Sequence, residues 1–236
     1  MIVSLFSQFQ TPILVTIPLS AIALIIPWIL YPTPLNRWQN TRILGTLSSL
    51  FVKLTAQIVK PIPPKGRIWA LMLLSLLVML ITLNGLGMLP YAFTVTTQAA
   101  VTLGLAFPLW LAAVITGFRR HPLRSISHIV PPSTPWYMVP FLIIIETISI
   151  LIRPVALGVR LAANLTAGHV IIYMCAKGVA SMVSKMLVIS PPFAYMAVTL
   201  PLLLGFYALL LLELVVAMIQ AYVFVLLLSL YLQENT

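Results

Sequence analysis

Two uninterrupted apolar segments constrain this chain more than any other feature. Trp136–Ala176 and Pro192–Leu232 each run for 41 residues. A continuous helix of that length would be roughly 60 Å long, while the hydrocarbon core of a bilayer is only about 30 Å thick. An upright helix does not fit. Each segment therefore either breaks into two spans or lies steeply tilted. Breaking needs a polar turn, and neither segment offers a convincing one. Pro154 and Pro201 are single prolines in apolar surroundings, and a proline kinks a membrane helix without having to end it. Geometry then demands a tilt of about 60°, far beyond the usual ~20°. Two such helices joined by a short loop, Lys177–Pro191, would make a specialised surface against a partner.

The rest of the chain agrees with a membrane setting. It is 61% hydrophobic and 7% charged, with a mean hydropathy of +1.12. Long apolar runs indicate helices, because a barrel would show short alternating segments. The net charge of +10 does not indicate nucleic acid. Its basic residues lie between apolar runs, which is how topology is encoded. One cysteine, Cys175, gives no disulfide framework, and scattered histidines argue against a metal site. No P-loop, Gly-rich dinucleotide turn or nucleophile elbow is present, so no cofactor and no nucleotide chemistry are expected. Met1 leads quickly into apolar sequence, without a basic n-region or an Arg-rich transit peptide.

The expected architecture is an all-α integral membrane protein forming one membrane domain over 1–236. An upright span covers 12–30 and ends at the helix-breaking Tyr31-Pro32-Thr33-Pro34. An amphipathic helix over 45–60 follows, with Leu47, Leu50, Phe51, Leu54 and Ile58 at helical spacing and Lys53, Gln57 and Lys60 elsewhere. That pattern suits a helix lying in the interface. A two-helix hairpin covers 68–83 and 99–118, with an uncharged loop from Asn84 to Gln98. The two long tilted helices, 136–176 and 192–232, complete the chain. Six basic residues (Arg37, Arg42, Lys53, Lys60, Lys65, Arg67) follow the first span, and three (Arg119, Arg120, Arg124) follow the third. Only Lys177 and Lys185 lie in loops on the other side. The bias places the N-terminus outside.

The long segments also hold the polar residues that membrane helices rarely carry. The first contains Glu146, Arg153, Arg160, Asn164 and His169, and the second contains Glu213 and Gln220. Arg160 is the most telling. An arginine cannot be neutralised at ordinary pH, and at bilayer depth it costs roughly 2.5 kcal/mol or more. It must face an aqueous cavity, a carboxylate, or both. Helical phase puts Glu146, Arg153, Arg160 and Asn164 in one stripe, with His169 on the side opposite Arg160 and about 13 Å further along. Glu213 and Gln220 share a face, and Gly205, Ala217 and Ala221 would permit close helix approach. The layout suits two proton paths that do not meet, one served by Glu146 from inside and one by His169 with Glu213 from outside. Arg160 would stand between them as a fixed cation.

Plainer readings stand beside these. Arg153 could pair with Glu146 on its own helix. His169 could be a packing histidine, and Gln220 and Asn164 could simply join helices. His121 and His128 read as solvated loop residues. An ion-coupled secondary transporter would also bury charges, but usually shows internal repeats, and none is found. A non-conducting membrane scaffold is the third reading, opposed by two intramembrane acids and an arginine.

The string Pro154-Val-Ala-Leu-Gly-Val-Arg160-Leu-Ala-Ala-Asn164-Leu-Thr-Ala-Gly168-His169 resembles the signature of subunit a of F-type ATP synthases. The loop Asn84-Gly-Leu-Gly-Met-Leu-Pro90 through Gln98, and the end from Glu213 through Gln220-Ala-Tyr-Val-Phe to Thr236, look like the animal mitochondrial form. The resemblance covers the chain from Pro12 onward. It implies the stator half of a rotary proton motor, packed against a ring of c subunits that each carry a membrane carboxylate. It further implies other membrane and peripheral-stalk subunits as partners. Arg160 matches the family's essential arginine. His169 and Glu213 match the residues of the intermembrane-space half-channel, and Glu146 matches an acid of the matrix half-channel. Asn164 and Gln220 match polar residues near the arginine. Arg153 stands where many members are neutral, so no role is carried onto it. The implied location is the mitochondrial inner membrane, multi-pass, with the N-terminus in the intermembrane space and the C-terminus in the matrix.

Overall fold

A computed structural model of the chain describes residues 9, 13–14, 17–30, 42–60, 64–89, 93–120, 136–188 and 192–235. It is built almost wholly of helices: α1 (Leu19–Leu30), α2 (Arg42–Val59), α3 (Ala70–Gly87), α4 (Ala99–Arg120), α5 (Val139–Val188) and α6 (Pro192–Asn235). Short 3₁₀ turns at Pro64–Trp69, Val95–Thr97 and Trp136–Met138 precede α3, α4 and α5. Four helical stretches are long and apolar enough to cross a membrane: Gly66–Gly87, Ala99–Arg119, Trp136–Lys185 and Met196–Glu234.

The first segment differs from the span expected over 12–30. Its helix begins only at Leu19. Before it, β1 (Ile13–Leu14) pairs antiparallel with β2 (Ile17–Pro18), placing Ile13 opposite Pro18 and Leu14 opposite Ile17. Pro18 supplies the reason. It cannot continue a helix from its N-terminal side, yet it suits a helix start. The resulting α1 has 12 residues, about 18 Å at helical rise.

Helix α2 lies on the bundle through one edge. Ile58 is buried and Leu54 packs against the core, while Leu50 and Val52 are exposed. The basic and Pro-rich connections around Arg37 and from His121 to Pro135, with His121, His128 and Arg124, lie outside the described residues.

The long helices are each continuous. Helix α5 spans 50 residues with Pro154 inside it, and α6 spans 44 with Pro201 inside it. Pro154 is fully buried, and the helix continues past it, as neighbouring helices allow for a proline within a membrane helix. The loop expected over Lys177–Pro191 is not seen as such. Residues 177–188 remain helical, and α6 starts at Pro192. The apolar Val179, Met182, Val183, Met186 and Leu187 carry no turn signal that would end α5 earlier.

The core sits where α3, α4, α5 and α6 meet. Leu77 and Leu80 of α3, Ala106 of α4, Leu157 and Leu161 of α5, and Ala221 and Val225 of α6 are essentially inaccessible. Gly158 lets α5 cross α4 closely: a Cβ there would lie 2.8 Å from the Leu103 Cδ2 and 3.2 Å from the Leu103 Cα. Ala217 and Ala221 are buried as the expected small residues, but Gly205 has nothing within 4 Å of its would-be Cβ and serves no helix contact among the described residues.

Candidate functional site

Two cross-pairs fix how α5 and α6 lie together. Arg153 of α5 pairs with Glu234 of α6, and the His169 Nε2 lies 3.8 Å from the Glu213 Oε1. The earlier α5 residue meets the later α6 residue, so the helices are antiparallel. Arg160 stands between the two pairs, seven residues after Arg153 and nine before His169. At helical rise these are about 10 Å and 13 Å. Interpolating between the pairs places Gln220 at the level of Asn164.

The Arg153–Glu234 pair settles one alternative. Arg153 does not pair with Glu146 on its own helix. Its guanidinium also lies over the Tyr231 ring, 5.5 Å from the centroid. Residue spacing alone does not reveal this pairing. Glu234 is the one terminal acid of the chain's three, and only the register of the two helices brings it to Arg153.

Arg160 itself is exposed, and no carboxylate among the described residues lies within ion-pair distance of it. Helix α5 buries Pro154, Leu157, Gly158, Leu161, Ala162 and Leu165. That leaves Val155, Val159, Arg160, Ala163, Asn164 and Ala167 on an exposed stripe. The side chains around the arginine are small, so the helix backbone is approachable there. Glu146, also on this side of the phase wheel, is half-buried and lies about 21 Å before Arg160 along the axis. The structure does not bring Glu146 to the other acids.

Glu213 and Gln220 face the other way. They are buried, 5% and 7% exposed, on the same face of α6 as Ala217 and Ala221. Neither oxygen of Glu213 accepts a hydrogen bond from a described residue. Two residues that sequence reasoning passed over shape this place. Gly168 makes room for the carboxylate: a Cβ there would lie 2.6 Å from the Glu213 Oε1 and 2.7 Å from its Cδ. Asn84, expected in a loop, lies in the last turn of α3 and is 2% exposed. Its Nδ2 donates to the carbonyl of Ala217, one turn beyond Glu213, at 3.0 Å. The Asn84 Oδ1 is buried without a described donor. A lone asparagine inside an apolar run was the available signal, obscured by Gly85 and Gly87 beside it.

A family model described as the ATP synthase A chain matches residues 13–233. The ATP synthase F(0) complex subunit a of Salmo salar is 52% identical over 236 residues, covering 100% of both chains. Its counterpart from Struthio camelus is 50% identical over 233 residues, covering 98% of each. The chain belongs to the ATP synthase subunit a family. As a member it is a non-catalytic, multi-pass subunit of the synthase's membrane sector. Arg160, Asn164, His169, Glu213 and Gln220 all fall within the matched stretch, and so do Asn84 and Gly168. Within a subunit a, the geometry separates one exposed cation from one buried acid–histidine pair along the same helix hairpin.

Proposed function

We propose that this chain is the stator of a rotary ATP synthase, offering two offset proton half-channels separated by Arg160. A ring of c subunits turns against the exposed α5 stripe. Protons from the outer side reach the ring by way of His169 and Glu213. They leave toward the inner side past Glu146. Proton flow between the two entrances drives rotation and hence ATP synthesis. The site is a proton path of the mitochondrial inner membrane, with the N-terminus in the intermembrane space and the C-terminus in the matrix. Other membrane subunits and the peripheral stalk hold the stator still.

The observation that carries this reading is the exposure of Arg160 without a carboxylate of its own. A permanent cation in an apolar setting is expensive unless paired. Here the small neighbours Ala163 and Ala167 leave space for a helix delivering the missing acid. An arginine at that place attracts an arriving carboxylate and repels a free proton. That prevents a direct leak between the paths. Three buried acceptor atoms on Glu213 and Asn84 lack described donors. Such groups require donors, and a path carrying protons supplies them. The length of α5, about 75 Å, supports a strong tilt across a 30 Å core. Asn164 and Gln220, at one level on opposite sides of the hairpin, would flank the transfer point. No observation favours the secondary-transporter or scaffold alternatives.

The test is Arg160→Ala in the assembled complex, read by ATP-driven proton pumping into sealed vesicles. Coupled pumping should be abolished while assembly is largely intact. Near-normal pumping would overturn the mechanism.

A further inference from the structure

Arg153 is a second cation on the Arg160 stripe, and the proton mechanism above makes no use of it. It lies two helical turns before Arg160, within about 20° of it in azimuth, and half-way in sequence between Glu146 and Arg160. A fixed positive charge there would stand across the inner route and act as a barrier in the wrong place. The structure supplies its counter-charge from the far end of the chain. Glu234, two residues short of the C-terminus, pairs with the Arg153 guanidinium, and Tyr231 on the preceding turn of α6 sits beneath it. Arg153 is 28% exposed and Glu234 45% exposed. An ion pair so open contributes little to stability. Its electrostatic effect on a neighbouring proton path is a separate matter, because an uncompensated charge acts over 10 Å when the intervening medium is protein rather than water.

We infer that Glu234 is a positioning and charge-compensating residue: it silences Arg153, so that Arg160 remains the single effective cation between the two proton paths. Tyr231 and Glu234 together dock the end of α6 on α5 and keep the compensating carboxylate in place. This inference rests on the stator reading given above. Its signature is an asymmetry that a purely structural ion pair would not show. Removing the acid exposes a cation, whereas removing both partners exposes nothing.

The experiment compares Glu234→Gln, Arg153→Gln and the double variant in the assembled complex. It measures ATP-driven proton pumping per complex, with complex content read on native gels. Arg160→Ala serves as the control for the stator reading. Glu234→Gln should lower pumping by about tenfold, the scale of one unit charge acting over roughly 10 Å at an effective dielectric near 20. Arg153→Gln should stay within about twofold of the parent, and adding Arg153→Gln to Glu234→Gln should restore pumping to that level. If Glu234→Gln fails to assemble but the double variant assembles and pumps, compensation is equally supported. The inference is overturned if Glu234→Gln pumps normally. It is also overturned if Arg153→Gln or the double variant is as impaired as Glu234→Gln, since the pair would then act only as a tie. Coupled pumping in Arg160→Ala would instead bring down the stator reading beneath it.

Discussion

Arg160 and Glu213 are charged residues on neighbouring apolar helices, yet their surroundings are opposite. The arginine lies on an exposed stripe among alanines, without a described carboxylate in reach. The glutamate is buried between helices, held at 3.8 Å from His169, with Gly168 giving it space and Asn84 tying the next turn of α6 to α3. One acid lies beside a histidine of its own chain, and the arginine has no described acid beside it. The difference teaches where a partner is needed. On the proposed reading, the buried pair serves as a route through the subunit, and the exposed cation acts on an acid that another subunit brings to it.

The comparison can be broken at either region. Glu213→Gln removes the only described carboxylate beside His169 and should slow proton pumping by about 10²-fold, the usual contribution of a positioned proton-transfer group. Unchanged pumping across the pH range would make the buried region a packing site. At the exposed stripe, Ala163→Leu leaves the subunit's own core untouched. It should cost an intermolecular contact about 1–3 kcal/mol through overpacking, cutting pumping by about tenfold. A normal rate would mean that the stripe faces only lipid. Gly168→Ala separates space from charge. Its Cβ displaces the Glu213 carboxylate without removing any ionisable group, and the flexible end of that side chain can yield. Pumping should fall about threefold with little loss of assembly, since small misplacements of a reacting group are felt in rate. A wild-type rate would show that the carboxylate position is not critical. The smallest effect on pumping is expected for Asn84→Ala, which removes one inter-helix hydrogen bond. It should lower the thermal stability of the assembled complex by about 1–3 kcal/mol, and an unchanged melting profile would argue against that bond.

Much of this contrast was legible in the chain itself. Continuous apolar runs set the long helices, and an arginine inside one of them marked the exposed stripe. Pairing across the hairpin was not legible from residue spacing. It depends on the register between α5 and α6, which packing of Leu157, Leu161, Ala221 and Val225 sets, and a small slip would change every partner. Local sequence alone therefore makes Glu234 a tail residue and Asn84 a loop residue. Helix α5 runs on past Lys177 to Val188, beyond the end expected at Ala176. A single lysine on an exposed helical face does not end a helix, and the Lys177 Nζ lies over the Tyr173 ring one turn back, 4.5 Å from the centroid. Helix α1 starts later than its apolar composition suggests, because Pro18 stands before Leu19.

The most direct test of the central claim is a structure of this subunit within its assembled membrane sector, read at a single place: the group facing the Arg160 guanidinium. The account predicts a carboxylate from a ring subunit, approaching over Ala163 and Ala167. It also predicts that the His169–Glu213 pair and Glu146 lie on opposite sides of that contact. Arg160 facing lipid, or held by an acid of its own chain, would contradict it.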